Sequence, residues 1–155
     1  MKVILGADSY GFSLKQAVKA ALLENGYDVF DATEQPAFFA DAAKQVAAGV
    51  QRGEYQRGIA FCGTGMGVSI IANKHKGVYA ALCESVYQAR RAKIVNNTNV
   101  LCMGGMIIGD VMGVEMALSW LTAEHLMDMD AQTAAQTVVE FEALVAIEED
   151  EYQKC

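Results

Sequence analysis

Five times along this chain a short apolar run is followed by a segment with helical spacing, and that alternation constrains the fold more than any other feature. "KVILGA" reads as a strand, and "FSLKQAVKAALLENG" as a helix with Leu14, Val18 and Leu22 four apart and Gly26 as a stop. "YDVFDA" is a second strand, and "AFFADAAKQVAAGVQRGEY" a helix ending near Gly53. "RGIAFCG" is a third strand, with "VSIIANKHKG" a helix beginning in or just after the glycines. "VYAALC" is a fourth strand, and "SVYQARRAKIVNN" a helix with Ser85 as N-cap. "NVLCMGG" is a fifth, followed by the helix "DVMGVEMALSWLTAEHL". Strand and helix in strict alternation predict a doubly wound, five-stranded parallel sheet with helices on both faces, a Rossmann-like α/β fold.

The rest of the chain adds one C-terminal helix, spaced by Val138, Phe141, Leu144 and Val145, with an acidic end that reads as a solvated face or a frayed tail. With 155 residues and no linker or repeat, residues 1–155 are expected to form one domain, with 126–155 a helical extension. A net charge of −7 argues against an extended nucleic-acid surface. The apolar run at the N-terminus is too short for a signal peptide or a membrane span. Cys62, Cys83, Cys102 and Cys155 show neither a CxxC pair nor zinc spacing, so no metal site is expected. The first three lie in or beside apolar runs, as reduced thiols of a cytoplasmic protein do.

Ligands of such a sheet bind beyond the carboxyl ends of its strands. "GADSYG" and "CGTGMG" fall there; "VNNTN" lies at a helix C-terminus, at the far side by connectivity. It can join the site only from another subunit, which predicts an oligomer. Cys62 sits where a strand gives way to glycines. It is a core residue at a strand end, or a nucleophile or base whose thiol is activated at a helix N-terminus. His75 and His125 are too far along the chain to indicate a Cys–His acyl-transfer pair.

Gly63, Gly65 and Gly67 let several N–H groups converge on one point, which suits an anion. Spacing leaves two ligands open. One is a nucleotide phosphate, with Glu84 at the next strand end holding a ribose hydroxyl. The third glycine comes one residue early for a dinucleotide fingerprint, however, and no Gly-Lys-Ser/Thr follows for a Walker loop. The other is a transient enediolate, formed when a cysteine base removes a proton beside a carbonyl.

"GADSYG", "GIAFCGTGMGVSIIANKHKGVYAALCESVYQARRA" and "NNTNVLCMGGMIIG" together resemble the ribose-5-phosphate isomerase type B family, which includes the galactose-6-phosphate isomerase subunits. The likeness runs from residue 1 to about residue 125. It implies a cofactor-independent, metal-free aldose–ketose isomerase acting on a sugar or sugar phosphate through an enediolate. It also implies a homodimer, or a dimer of dimers, with active sites shared between subunits. By the same resemblance Cys62 is the base and Thr64 assists it. Amides from Gly63 to Ser69 hold the enediolate oxygens. Asp8, Ser9, Gly63, Gly65, Met66, Gly67 and Ser69 contact substrate, and Asn96 reaches it from the partner subunit.

The chain departs from that family at the positions that open a sugar ring and hold a phosphate. Ser9 stands where a histidine is usual, and Val95 replaces the histidine before the asparagine. Met106 replaces an arginine, and "DMDAQTAAQ" stands in place of Gly-Arg-His-x-x-Arg. After Lys93 the sole lysine or arginine is Lys154, although arginine forks are the usual means of holding phosphate. Three functions remain in view. The first is an isomerase with a changed substrate. A tetrose or tetrulose 4-phosphate fits, since it cannot close a furanose ring; erythrulose 4-phosphate isomerases of the family resemble this chain in their Asp-Ser and Asn-Asn. The second is a non-catalytic or altered-specificity subunit of a mixed isomerase. The third is a nucleotide-binding module.

Overall fold

The structure, a computed structural model, describes residues 1–154; Cys155 lies outside the described residues. Its elements follow the expected alternation: β1 (Lys2–Ala7), α1 (Phe12–Glu24), β2 (Asp28–Asp31), α2 (Phe39–Gln51), β3 (Arg57–Cys62), α3 (Met66–Ala72), β4 (Ala80–Leu82), α4 (Val86–Asn96), β5 (Val100–Gly104), α5 (Asp110–Thr122) and α6 (Ala131–Gln153). All strand pairs are parallel, in the order β2-β1-β3-β5-β4.

Alternate strand residues feed two cores, as a period of two requires. Val3, Leu5, Ile59, Phe61, Leu101 and Met103 pack under α1, α4 and α5. Ile4, Ala60, Cys62, Val100 and Cys102 pack under α2 and α3. Covering both faces explains why β1, β3 and β5 are almost continuously apolar. Cys62, Cys83 and Cys102 are free thiols. Burial pushes Cys83 up to about 11 and Cys102 higher still, so both are inert packing residues.

Ser85 caps α4 as expected, its Oγ accepting the Gln88 N–H at 3.2 Å. The helix α3 starts at Met66, earlier than its apolar residues suggest, because Gly65 turns the chain in the left-handed region at φ 76°. The acidic end is neither frayed nor merely solvated. Glu148 accepts from the Gly77 N–H (2.9 Å) and the Tyr79 hydroxyl (3.0 Å), Lys76 pairs with Glu149, and the Tyr152 hydroxyl donates to the Lys74 carbonyl. These bonds tie α6 to the α3–β4 loop, while Val139, Leu144 and Ile147 stay exposed.

One network was invisible in the apolar spacing. Lys15 is fully buried on α1, and its Nζ donates to both Asp31 oxygens (2.7 and 2.8 Å) and to the Thr33 carbonyl. Lys19 adds a third bond to Asp31. Burial raises the Asp31 carboxyl, but the two lysines outweigh that and hold it below the usual range. Asp31 also accepts from the Thr33 N–H, and the Thr33 hydroxyl accepts from the Ala7 N–H at 2.8 Å. A buried ion pair thus fixes the carboxyl end of β1, where Asp8 begins the next loop.

Candidate active site

The chain reverses its winding direction between β1 and β3, since β1 is followed by β2 on one side and β3 lies on the other. That switch point opens a crevice at the carboxyl ends of the two strands. Asp8 leaves β1 there and Cys62 ends β3.

Three loops meet in the crevice. The Gly105 N–H donates to the Cys62 carbonyl and the Met106 N–H to the Gly63 carbonyl, both at 2.9 Å. A Cβ on Gly105 would lie 2.3 Å from the Tyr10 carbonyl oxygen, so the β1–α1 and β5–α5 loops touch only because residue 105 is glycine. Asp8 Oδ1 accepts from the Tyr10 and Gly11 amides, both at 2.9 Å, which builds the turn into α1. Asp8 Oδ2 has no bond among the described residues and is available to a ligand.

Cys62 is 5% exposed, and its Sγ accepts the Gly65 N–H at 3.2 Å. The first backbone bond of α3 runs from the Ser69 N–H to the Gly65 carbonyl, and the Ser69 hydroxyl donates to the Met66 carbonyl. Gly65 and Ser69 amides are therefore engaged. The donors left around Cys62 are narrower than the whole span Gly63–Ser69: the Gly63, Thr64, Gly67 and Val68 amides have no acceptor among the described residues. Thr64 is exposed beside them.

The structure brings Asp8, Ser9, Cys62, Gly63, Thr64, Gly65, Met66, Gly67 and Ser69 to one end of the sheet. It does not bring Asn96 there. Because α4 joins two parallel strands, it runs against them and ends at their amino side. Exposed Asn96 instead lines a groove of about 490 Å³ between the β4 edge and α6, with Asn73, Tyr79, Ala80 and Ile147. Aromatic residues that the motifs did not single out, Tyr10 and Phe39, rim the crevice beside Met106. Tyr10 and Met106 crowd Gly63, and the Phe39 ring would lie 2.9 Å from a Cβ on Gly67. Tyr10, Phe38, Met66, Met106 and Ile107 are all exposed.

The nucleotide reading lacks a free carboxylate at the strand end beside β1. Glu84 follows β4, and β5 lies between β4 and β3 in the sheet. Asp31, at the strand end where such folds hold a ribose, is already clamped by two lysines.

Fold and crevice define a doubly wound α/β protein with a strand-end thiol facing free amides at its switch point. The chain belongs to the ribose/galactose isomerase family, which it matches over residues 3–138. It is 43% identical to the 4-deoxy-4-sulfo-D-erythrose isomerase of Clostridium sp. (strain MSTE9), across 99% of each chain. It is 37% identical to the D-erythrulose-4-phosphate isomerase of Pectobacterium atrosepticum, over 80% of this chain and 84% of that one. The ribose-5-phosphate isomerase B structure of Clostridium thermocellum superposes with a TM-score of 0.88 at 32% identity, covering 97% of this chain and 99% of that one. The protein is a sugar isomerase of the aldose–ketose type.

Proposed function

We propose that this enzyme interconverts a four-carbon aldose and ketose bearing an anionic group on C4. Cys62 takes the proton from C2 of the aldose, and the free amides of the Gly63–Val68 turn receive the charge that develops on the enediolate oxygens. The same thiol returns the proton to C1, while the hydroxyl proton passes from O2 to O1. Thr64 lies beside the reacting carbons, and Asp8 Oδ2 with Ser9 binds substrate hydroxyls. Asn96 comes from a second copy of the chain, so the working unit is a homodimer or a dimer of dimers. Exposed apolar side chains around the crevice and along α6 support such an interface. Free buried thiols fit a cytoplasmic setting, and among the described residues no helix is long and apolar enough to cross a membrane.

The observation that carries the substrate class is Val95, next to Asn96. Valine cannot carry a proton, so nothing at that position assists ring opening. A tetrose substituted at C4 has no hydroxyl with which to close a furanose and needs no such group. None of the three crevice loops carries a lysine or arginine, which favours a monoanionic sulfonate, the group borne by the substrate that names the Clostridium relative. A phosphate is the second reading, favoured by the erythrulose-4-phosphate relatives.

The test is a coupled assay on 4-deoxy-4-sulfoerythrose, erythrose 4-phosphate and ribose 5-phosphate, with wild type and Val95→His in parallel. Turnover is expected on one or both tetroses, and Val95→His should gain on the pentose alone. Faster wild-type turnover of ribose 5-phosphate than of either tetrose would refute the proposal.

A further inference from the structure

At the opposite end of the sheet from Cys62 lies a second polar cavity, of about 330 Å³. Arg57 enters it from the first residue of β3, and Lys93 from the last turn of α4. Asn97, Asn99, Tyr55 and Tyr79 complete much of the wall. Since β3 spans six residues, the cavity stands about 17 Å from Cys62.

The two cations are poorly satisfied. Lys93 is 4% exposed, and its ammonium donates only to Asn97 Oδ1, at 2.5 Å, which leaves two N–H groups without an acceptor among the described residues. Arg57 Nε is buried with no hydrogen-bond partner; one terminal nitrogen donates to the Gln56 carbonyl, and the guanidinium lies 5.9 Å from the Trp120 ring centroid. Neither residue forms a salt bridge among the described residues. In a chain of net charge −7, two adjacent cations facing one cavity without a paired carboxylate are a costly arrangement.

We propose that this cavity is an anion site, apart from the crevice that holds this chain's own Cys62, for a small tetrahedral oxyanion: free sulfate or phosphate, or the terminal sulfonate or phosphate of a sugar. Its donors suit that chemistry. Arg57 offers a guanidinium edge, Lys93 offers two ammonium N–H groups, and the volume admits the ion with several waters. Every charged or titratable group around Lys93 bears on the pH dependence. Arg57 on β3 repels it, exposed Glu124 after α5 attracts both cations, and His125 stands beside Glu124. Tyr55 and Tyr79 line the wall, and burial and Glu148 push the Tyr79 phenol up to about 12. Burial and Arg57 push Lys93 down to about 8. A bound anion favours its charged form, so binding should weaken as pH rises past about 8.

Sulfate is the probe, because its charge is constant across this range. Thermal unfolding is followed in sulfate and in sodium chloride of equal ionic strength, with wild type, Lys93→Met, Arg57→Gln and Cys62→Ser. At sulfate tenfold above its Kd, wild type and Cys62→Ser should gain roughly 3–5 °C over chloride. Lys93→Met and Arg57→Gln should lose that gain, and isothermal titration should show affinity at least about tenfold weaker. Erythrose 4-phosphate, added to Cys62→Ser with and without Lys93→Met, separates the sources. A shift that depends on Lys93 assigns the sugar's own phosphate to the cavity, and a shift with sulfate alone assigns the free ion. No gain over chloride in wild type, or a gain that persists in a folded Lys93→Met or Arg57→Gln protein, overturns the site.

Discussion

Cys62 belongs to the core packing and to the proposed chemistry at once. Its Cα stands at the end of a central strand and its side chain belongs to the α2–α3 core, yet its sulfur accepts an amide from the loop it faces. Serine keeps the size and can accept the same bond, so Cys62→Ser should cost about 1 kcal/mol of stability, near the centre of the range for point changes. If the thiol moves the proton, the same change should lower kcat by at least about 10²–10³-fold. Steady-state kinetics beside a denaturant melt separates the two effects; a folded mutant with wild-type kcat would leave Cys62 a packing residue. The motif put Cys62, Thr64 and Asp8 on strand ends and loops at the carboxyl end of the sheet. It could not say which amides remain free, because Gly65 and Ser69 spend theirs on local bonds that depend on the folded turn.

Elements align the crevice through contacts that apolar periodicity does not report. Leu14, Val18 and Leu22 mark the inner face of α1, but Lys15 is buried beside them. It reaches Asp31 on β2, and through Thr33 the bond continues to Ala7. Asp31→Asn removes a carboxylate that is 5% exposed and strands Lys15, at a cost of about 3 kcal/mol at neutral pH. Because the folded state holds the Asp31 pKa below its ordinary value of 3.8, this stability is present above that value and is lost as pH falls through the folded pKa. Chemical denaturation at several pH values should show wild-type stability falling below about pH 4, with a shallower slope in Asp31→Asn. Equal slopes would mean that the pair does not couple to folding. Helix α6 teaches the same lesson. Its acidic end reads as a solvent face until Gly77 and Tyr79 supply its partners. Those lie about seventy residues earlier in the chain.

At the scale of the molecule, the proposed dimer asks one chain to supply two separate halves of a site. Cys62 and Asp8 occupy the carboxyl end of the sheet, while Asn96 lies at the amino side in the groove beside β4 and α6. A symmetric dimer whose sites each combine both halves predicts complementation. In a mixed dimer of Cys62→Ser and Asn96→Ala chains, one site holds both lesions and the other holds none. If each single variant is inactive alone, a 1:1 mixture after subunit exchange should recover about one quarter of wild-type activity. Mixing that restores nothing, together with light scattering that finds an active monomer, would refute the shared site.

The sequence by itself determined the sheet, its helices, the thiol at a strand end and the separation of Asn96 from Cys62. Each of these follows from local periodicity, glycine placement and the direction in which a crossover helix must run. Only the tertiary structure decided that β5 enters the sheet between β3 and β4, which places one strand between Cys62 and the strand that Glu84 follows. It alone paired Lys15 with Asp31, seated α6 on the α3–β4 loop, and gathered Arg57 and Lys93 at one cavity. Strand order and buried ion pairs depend on contacts between residues far apart in the chain. Local preference is blind to such contacts, because their energy exists only once the intervening chain has folded.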